Sequence, residues 1–128
     1  MNENIDDSNK EKLANELLQK FPRYDPGLVE GAANAVYGAL LNVADYAWVT
    51  EKKVRDTIEE KGSGVSLSRD FNLDSFDQVE LTIELNEKGI TIDDKMLKDW
   101  KAPKGPDLMD LLEMAYESKE YKRRFGRE

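Results

Sequence analysis

The sequence contains no histidine and no cysteine. Without cysteine the chain can form neither a disulfide framework nor a thiolate metal site, and this composition suits a cytoplasmic setting. The absence of histidine removes the base that most often activates a serine nucleophile. We therefore expect a cytoplasmic protein with no catalytic residue and no metal site of its own.

Long apolar runs are also absent, so no stretch approaches the length that a membrane-spanning helix needs. The polar, acidic start of the chain predicts no signal peptide. Over 128 residues, 27 acidic side chains outnumber 19 basic ones, which leaves a formal net charge of −8. This excess argues against general nucleic-acid binding and favours basic protein partners. The length is that of one domain with a modest core.

Apolar residues recur with a helical rather than a strand period over most of the chain, which predicts an all-α fold. The stretch from Leu28 to Ala47 is apolar over most of its helical circumference, so we expect it to be buried on several sides or to bind a partner. Residues 119–128 are basic and are expected to continue the last helix into solvent, with docking on an acidic surface or a membrane as the alternative. Helix starts are predicted from capping or proline signals at Ser8, Asp25, Thr50, Asp74, Asp93 and Pro106.

One short stretch organises the rest of the chain. Asp74 is a predicted N-cap, because its carboxylate can accept the free amide hydrogens of a first helical turn. Ser75 then occupies the first helical position, and Gly89 ends the helix. Apolar or semi-polar residues recur with a helical period on the predicted inner face, at Val79, Leu81, Thr82 and Leu85.

The other face of this helix is acidic. We call the carboxylates that follow the serine along this face the acidic ridge, which comprises Asp77, Glu80, Glu84 and Glu87. A negative charge in the first turn also suits the positive end of the helix dipole. The sequence thus places one serine at the start of a helix, beside an acidic ridge.

Ser75 has no evident base to activate it. No histidine is present, and no Ser-x-x-Lys spacing begins there, because the third residue on is Gln78. The serine is therefore better suited to modification by another enzyme than to unaided attack. A calcium loop beginning at Asp70 would need glycine and glutamate at its sixth and twelfth positions, where Ser75 and Leu81 stand, so we reject a calcium site.

Residues Asp74-Ser75-Phe76-Asp77-x-Val79-Glu80-Leu81 resemble the Asp-Ser-Leu signature of acyl carrier proteins, whose serine carries 4′-phosphopantetheine. The resemblance extends upstream, where Leu67 and Phe71 stand eight and four positions before the serine. It also extends downstream, since Gly89 to Asp94 is similar to the family's link into its third helix. Phe76 replaces the usual leucine, as in D-alanyl carrier proteins.

This resemblance covers Thr50 to Ser118 and implies an acyl-carrier-protein-like four-helix bundle. The implied organisation is an N-terminal two-helix extension (1–49), the carrier domain (50–118) and a basic tail (119–128). A phosphopantetheinyl transferase would attach the 4′-phosphopantetheine arm to Ser75, next to Asp74. The arm would hold an acyl intermediate as a thioester. Alternatives are a D-alanyl or other aminoacyl carrier, and a helical interaction module that is never modified.

The resemblance also implies how partners dock. Basic patches on acyl-transferring or condensing enzymes of fatty-acid, polyketide or related biosynthesis would meet the carboxylates of the serine helix. Apolar side chains at partner-facing positions would anchor the contact. The implied steering residues are Asp74, Asp77, Glu80 and Glu84, and the implied anchors are Phe76 and Ile83.

Overall fold

The computed structural model describes residues 3–92 and 107–126, without the side chains of residues 3–7 and of Ser75. This part of the chain is all-α, as predicted, with one isolated antiparallel bridge between Ser66 and Asp107 and no strand. The finer prediction of a carrier-type bundle stays a prediction. The α-helices are α1 (Glu3–Lys20), α2 (Pro26–Tyr46), α3 (Glu51–Lys61), α4 (Leu67–Asp70), α5 (Ser75–Glu87), α6 (Leu108–Glu117) and α7 (Lys119–Phe125).

Helix α2 lies at the centre of the fold and contacts α1, α3, α5 and α6. It begins as predicted, because an Asp25 carboxylate oxygen accepts a hydrogen bond from the Leu28 amide at 3.1 Å and Pro26 is the first helical residue. Burial on several sides explains why its sequence is apolar around most of the circumference. Its buried side chains are Val29, Ala32, Ala33, Val36, Tyr37, Ala39, Leu40, Val43 and Ala44.

Helix α1 starts earlier than the sequence predicts. It begins at Glu3, so Ser8 lies inside the helix rather than at its N-cap. The capping pattern is local, and no proline or glycine interrupts the residues before it, so the helix continues through it. Leu13 and Leu17, which lie four positions apart on one side of the helix, are fully buried.

Helix α3 follows its sequence signals closely. The Thr50 hydroxyl accepts a hydrogen bond from the Lys53 amide at 3.1 Å, and Val54 and Ile58 are buried. The helix ends at Gly62, which has a φ of 62°, and glycine adopts this left-handed conformation without strain. The amide of Ser63 in the following 3₁₀ turn donates to Glu16 of α1 at 2.7 Å.

The C-terminal helices differ from prediction. Asp107 caps α6 through a reciprocal pair of hydrogen bonds with Asp110, and the predicted start at Pro106 lies outside the described residues, as does the helix predicted from Asp93. Helix α7 is not a solvated continuation of α6. Ser118 breaks the helix and caps the next one, and Tyr121 is only 4% exposed.

The buried apolar side chains on both sides of residue 50 form one core. The proposed boundaries at 49 and 118 are therefore not visible as separate cores, and the division into extension, carrier domain and tail stays a prediction. In the described ranges, none of the helices combines the length and the apolar character that crossing a membrane requires.

Candidate functional site at the start of α5

Two aspartates form a reciprocal pair of hydrogen bonds at the start of α5. The Asp74 carboxylate accepts a hydrogen bond from the Asp77 amide at 2.9 Å, and the Asp77 carboxylate accepts one from the Asp74 amide at 3.0 Å. This capping box confirms Asp74 as the N-cap and gives Asp77 a role that the sequence interpretation had limited to charge. The backbone of Ser75 is the first residue of α5, as predicted.

The chain before Asp74 is anchored by buried apolar side chains. Leu67, Phe71 and Leu73 are almost completely buried, and the Leu73 amide donates to the Leu67 carbonyl at 3.2 Å. Gln78 in α5 donates to the Leu73 carbonyl at 3.3 Å, which ties this segment to the first turn of the helix. This segment also contains the short helix α4.

An ion pair connects the short helix α4 to the end of α3. Lys61 at the end of α3 lies 2.6 Å from the Asp70 carboxylate, which also accepts the Ser66 amide at 2.7 Å. The hydrogen bond from Lys61 holds the pKa of the Asp70 carboxyl below its usual value. The backbone that leads to Ser75 is therefore held by both packing and charge.

The inner face of α5 was predicted only in part. Leu81 and Leu85 are fully buried and Gln78 is nearly so, but Val79 is 51% exposed. Successive residues in an α-helix are rotated by about 100°, so Val79, two positions before Leu81, lies on nearly the opposite side. The prediction that Val79 faces the core is therefore wrong.

Exposed apolar side chains and carboxylates alternate on the outer side of α5. Phe76 is 81% exposed and Ile83 is 47% exposed, and Glu80 and Glu87 project from the same side. We call this surface, comprising Phe76, Val79, Glu80, Ile83 and Glu87, the acidic–apolar face. Helix α5 is apolar on two opposite sides: one side faces the core, and no element within residues 3–92 and 107–126 covers the other.

The remaining predicted carboxylates flank this face. Asp77 and Glu84 are half-buried. One Glu84 oxygen accepts a hydrogen bond from Asn42 of α2 at 3.0 Å. The side chain of Lys88 reaches Gly38, four residues earlier in α2 than Asn42. These two contacts show that α2 and α5 run antiparallel.

Two exposed aromatic residues, Tyr46 and Trp48, lie at the C-terminal end of α2. The sequence interpretation missed both. The antiparallel register places Tyr46 level with Glu80 of α5. Tyr46 is 66% exposed, and Trp48 is 93% exposed with a left-handed φ of 66°. The sequence did contain one signal that Trp48 is exposed. Trp48 follows the end of α2, so it is not part of the apolar stripe that the helix buries.

Within residues 3–92 and 107–126, no three carboxylates converge into a group that could hold a metal ion. We compared the chain with protein-family models, curated proteins and solved structures, and none of the three comparisons returned a match. The function is therefore inferred from the residues around the start of α5.

Proposed function

We propose that this protein is an acyl carrier that holds an acyl group as a thioester on a 4′-phosphopantetheine arm attached to Ser75. The observation that carries the proposal is the position of Ser75. It is the first residue of a capped helix whose outer side exposes Phe76, Val79 and Ile83 between carboxylates. An aminoacyl group, including D-alanine, is an alternative cargo on the same arm.

The residues around Ser75 fit a covalent arm. The attachment requires a serine oxygen at a helix start that a transferase can approach, and Asp74, next to it, is exposed. The arm supplies the thiol that this cysteine-free chain lacks. The protein's own contribution is to hold the helix start through the Asp74–Asp77 capping box and to present it to enzymes.

Partner recognition in this proposal uses the acidic–apolar face and the flanking carboxylates. The carboxylates of Asp77, Glu80 and Glu84 attract basic patches on the transferase and on acyl-transferring or condensing enzymes. Phe76 and Ile83 then supply apolar contact area next to the attachment point. Because Val79 is exposed between them, we add it to the proposed contact residues.

Intact-mass spectrometry tests the attachment directly. Incubation with coenzyme A and a broad-specificity phosphopantetheinyl transferase should add one phosphopantetheinyl group to the chain. Ser75→Ala should abolish the addition and leave the circular-dichroism spectrum unchanged. Ser68→Ala, at a half-buried serine in α4, is the matched control and should be modified normally.

A mass that stays unmodified with several transferases would count against the carrier function. It would favour the second candidate, an unmodified helical interaction module. The exposure of Tyr46, which lies level with Glu80 of α5, and of Trp48 supports that candidate, since exposed aromatic side chains need no covalent arm to bind a partner.

A further inference from the structure

A second surface lies at the far end of α5 from Ser75. It is a groove of about 1210 Å³ between the first half of α2 and helix α7, and Lys88, just after α5, also lines it. Its floor is mostly apolar and is formed by Leu28 and Ala35 of α2 and by Tyr121 and Phe125 of α7. Phe125 is 54% exposed, so part of this floor is open to solvent.

Two glycines allow the walls of the groove to approach each other. A β-carbon at Gly31 would lie 2.5 Å from the Tyr121 hydroxyl, which donates a hydrogen bond to the Leu28 carbonyl at 2.6 Å. Gly89 has a φ of 88°, and Arg124 and Phe125 pack closely over it. Helix α7 is thus held against α2 and the end of α5, so the groove is formed in the folded chain rather than induced by a ligand.

The charge of the groove is opposite to that of the whole molecule. Its lining includes four cationic side chains, whereas the net charge of the chain is −8. Among the described lining residues the single carboxylate is that of Asp25, which already accepts the hydrogen bond that caps α2. The cations are Lys88, Lys119, Lys122 and Arg123.

Two of these cations have local partners. Lys122 pairs with Glu117 at 2.9 Å, and Arg123 pairs with Glu120 at 2.7 Å. In the part of the chain that the structure describes, Lys88 and Lys119 form no ion pair. They can therefore pair with an incoming anion without first losing a carboxylate of their own.

We propose that this groove binds an acidic amphipathic helix of a partner protein. The apolar side of such a helix would lie on Leu28, Ala35 and Phe125, and its flanking carboxylates would meet Lys88 and Lys119. Small-molecule sites usually enclose about 300–1,000 Å³, so a larger open groove fits a peptide segment better than a metabolite. The site is separate from Ser75 and does not depend on the proposed carrier function.

An anionic membrane is a poorer match for the same cations. The groove is concave, whereas helices that lie on a bilayer insert an exposed apolar face. The net charge of −8 would also oppose approach to an anionic leaflet.

Fluorescence anisotropy with a defined probe tests the proposal. The probe is a fluorescein-labelled amphipathic peptide of leucine and glutamate, about 18 residues long so that it can form a helix. We expect saturable binding that weakens as the salt concentration rises. Lys88→Glu combined with Lys119→Glu should weaken binding at least about tenfold, and Phe125→Ser should weaken it through the apolar floor.

The matched control is Lys53→Glu combined with Arg69→Glu. Both are exposed cations on α3 and α4 outside the groove, and the control changes the net charge by the same amount. It should bind the probe much more tightly than the Lys88/Lys119 variant does. Lys88→Gln with Lys119→Gln gives a milder version if the charge reversals disturb folding, which circular dichroism will show.

Three results would overturn the proposal. One is the absence of saturable binding by the unaltered protein. Another is an equal loss in the groove and control variants, which would reflect net charge alone. The third is that phosphatidylserine-containing vesicles, but not the peptide, bind through Lys88 and Lys119, which would make the groove a membrane contact. Unchanged peptide binding by Ser75→Ala would support the independence of the two sites.

Discussion

Asp74 acts on the start of α5 through its carboxylate and through its backbone. Its side chain accepts the Asp77 amide, and its own amide donates to the Asp77 carboxylate. Both bonds satisfy donors that a helix start otherwise leaves to water. The cap therefore holds the first turn of the helix, including the backbone of Ser75, in one conformation.

Replacement of Asp74 by alanine should lower the free energy of unfolding by about 1 kcal/mol, the usual cost of a lost N-cap. Urea denaturation followed by circular dichroism measures this change. Glu80→Ala is the control, because Glu80 is exposed on the same helix outside the capping box, and it should change stability little. Equal midpoints for the two variants would show that the capping box does not stabilise the helix.

At the level of one element, helix α5 carries apolar side chains on two opposite sides. Leu81 and Leu85 face the core, while Phe76 and Ile83 are exposed among carboxylates on the other side. The apolar side chains on the outer side add no core packing. Their exposure to water is unfavourable, and contact with a partner explains it best. We therefore expect mutations on the outer side of α5 to affect the proposed partner contact without unfolding the protein.

Charge reversal on α5 should slow the encounter between this protein and the transferase without unfolding the protein. Glu80→Lys combined with Glu84→Lys should reduce the rate of modification by the transferase strongly at low salt and less at high salt. The control is Glu59→Lys combined with Glu60→Lys, two exposed carboxylates of α3 with the same charge change. Stopped aliquots analysed by intact mass give the rates. If the transferase modifies both double variants at the same rate, the acidic ridge does not contribute to recognition.

At the scale of the whole molecule, α2 connects all the larger helices. It contacts α1, α3, α5 and α6, and α7 hydrogen-bonds to its Leu28 carbonyl. Residues up to Tyr46 supply 12 of the 27 buried apolar side chains in the described ranges. The segment predicted to be an extension is therefore a major part of the core.

Removal of Met1 to Tyr46 should leave a chain with no cooperative thermal transition, because most of the packing partners of α5 and α6 are lost. A milder test compares Leu40→Ala, at a fully buried position of α2, with Leu41→Ala, at a half-buried one. The first should cost about 2–5 kcal/mol and the second less. A truncated protein that melts like the full chain would contradict this account of the core.

The sequence predicted the features that depend on neighbouring residues. The caps at Asp25, Thr50 and Asp74 were found because a capping side chain bonds to an amide only two or three positions away. The position of Ser75 at a helix start followed from the same local rule. The exposure of Phe76 and Ile83 agrees with their predicted place on the outer side of the helix, although their partner-binding role stays a prediction.

The sequence by itself thus determined the helical class, the starts of α2, α3 and α5, and the candidate modification site, because these depend on local hydrogen bonds and on the period of apolar residues. Only the tertiary structure decided which apolar side of α5 is buried, that α2 belongs to the core, and that Tyr121 closes one wall of a basic groove. The reason is physical. Burial depends on which surfaces meet across long stretches of chain, and a side chain such as Val79 has the same local pattern whether or not a neighbouring helix covers it.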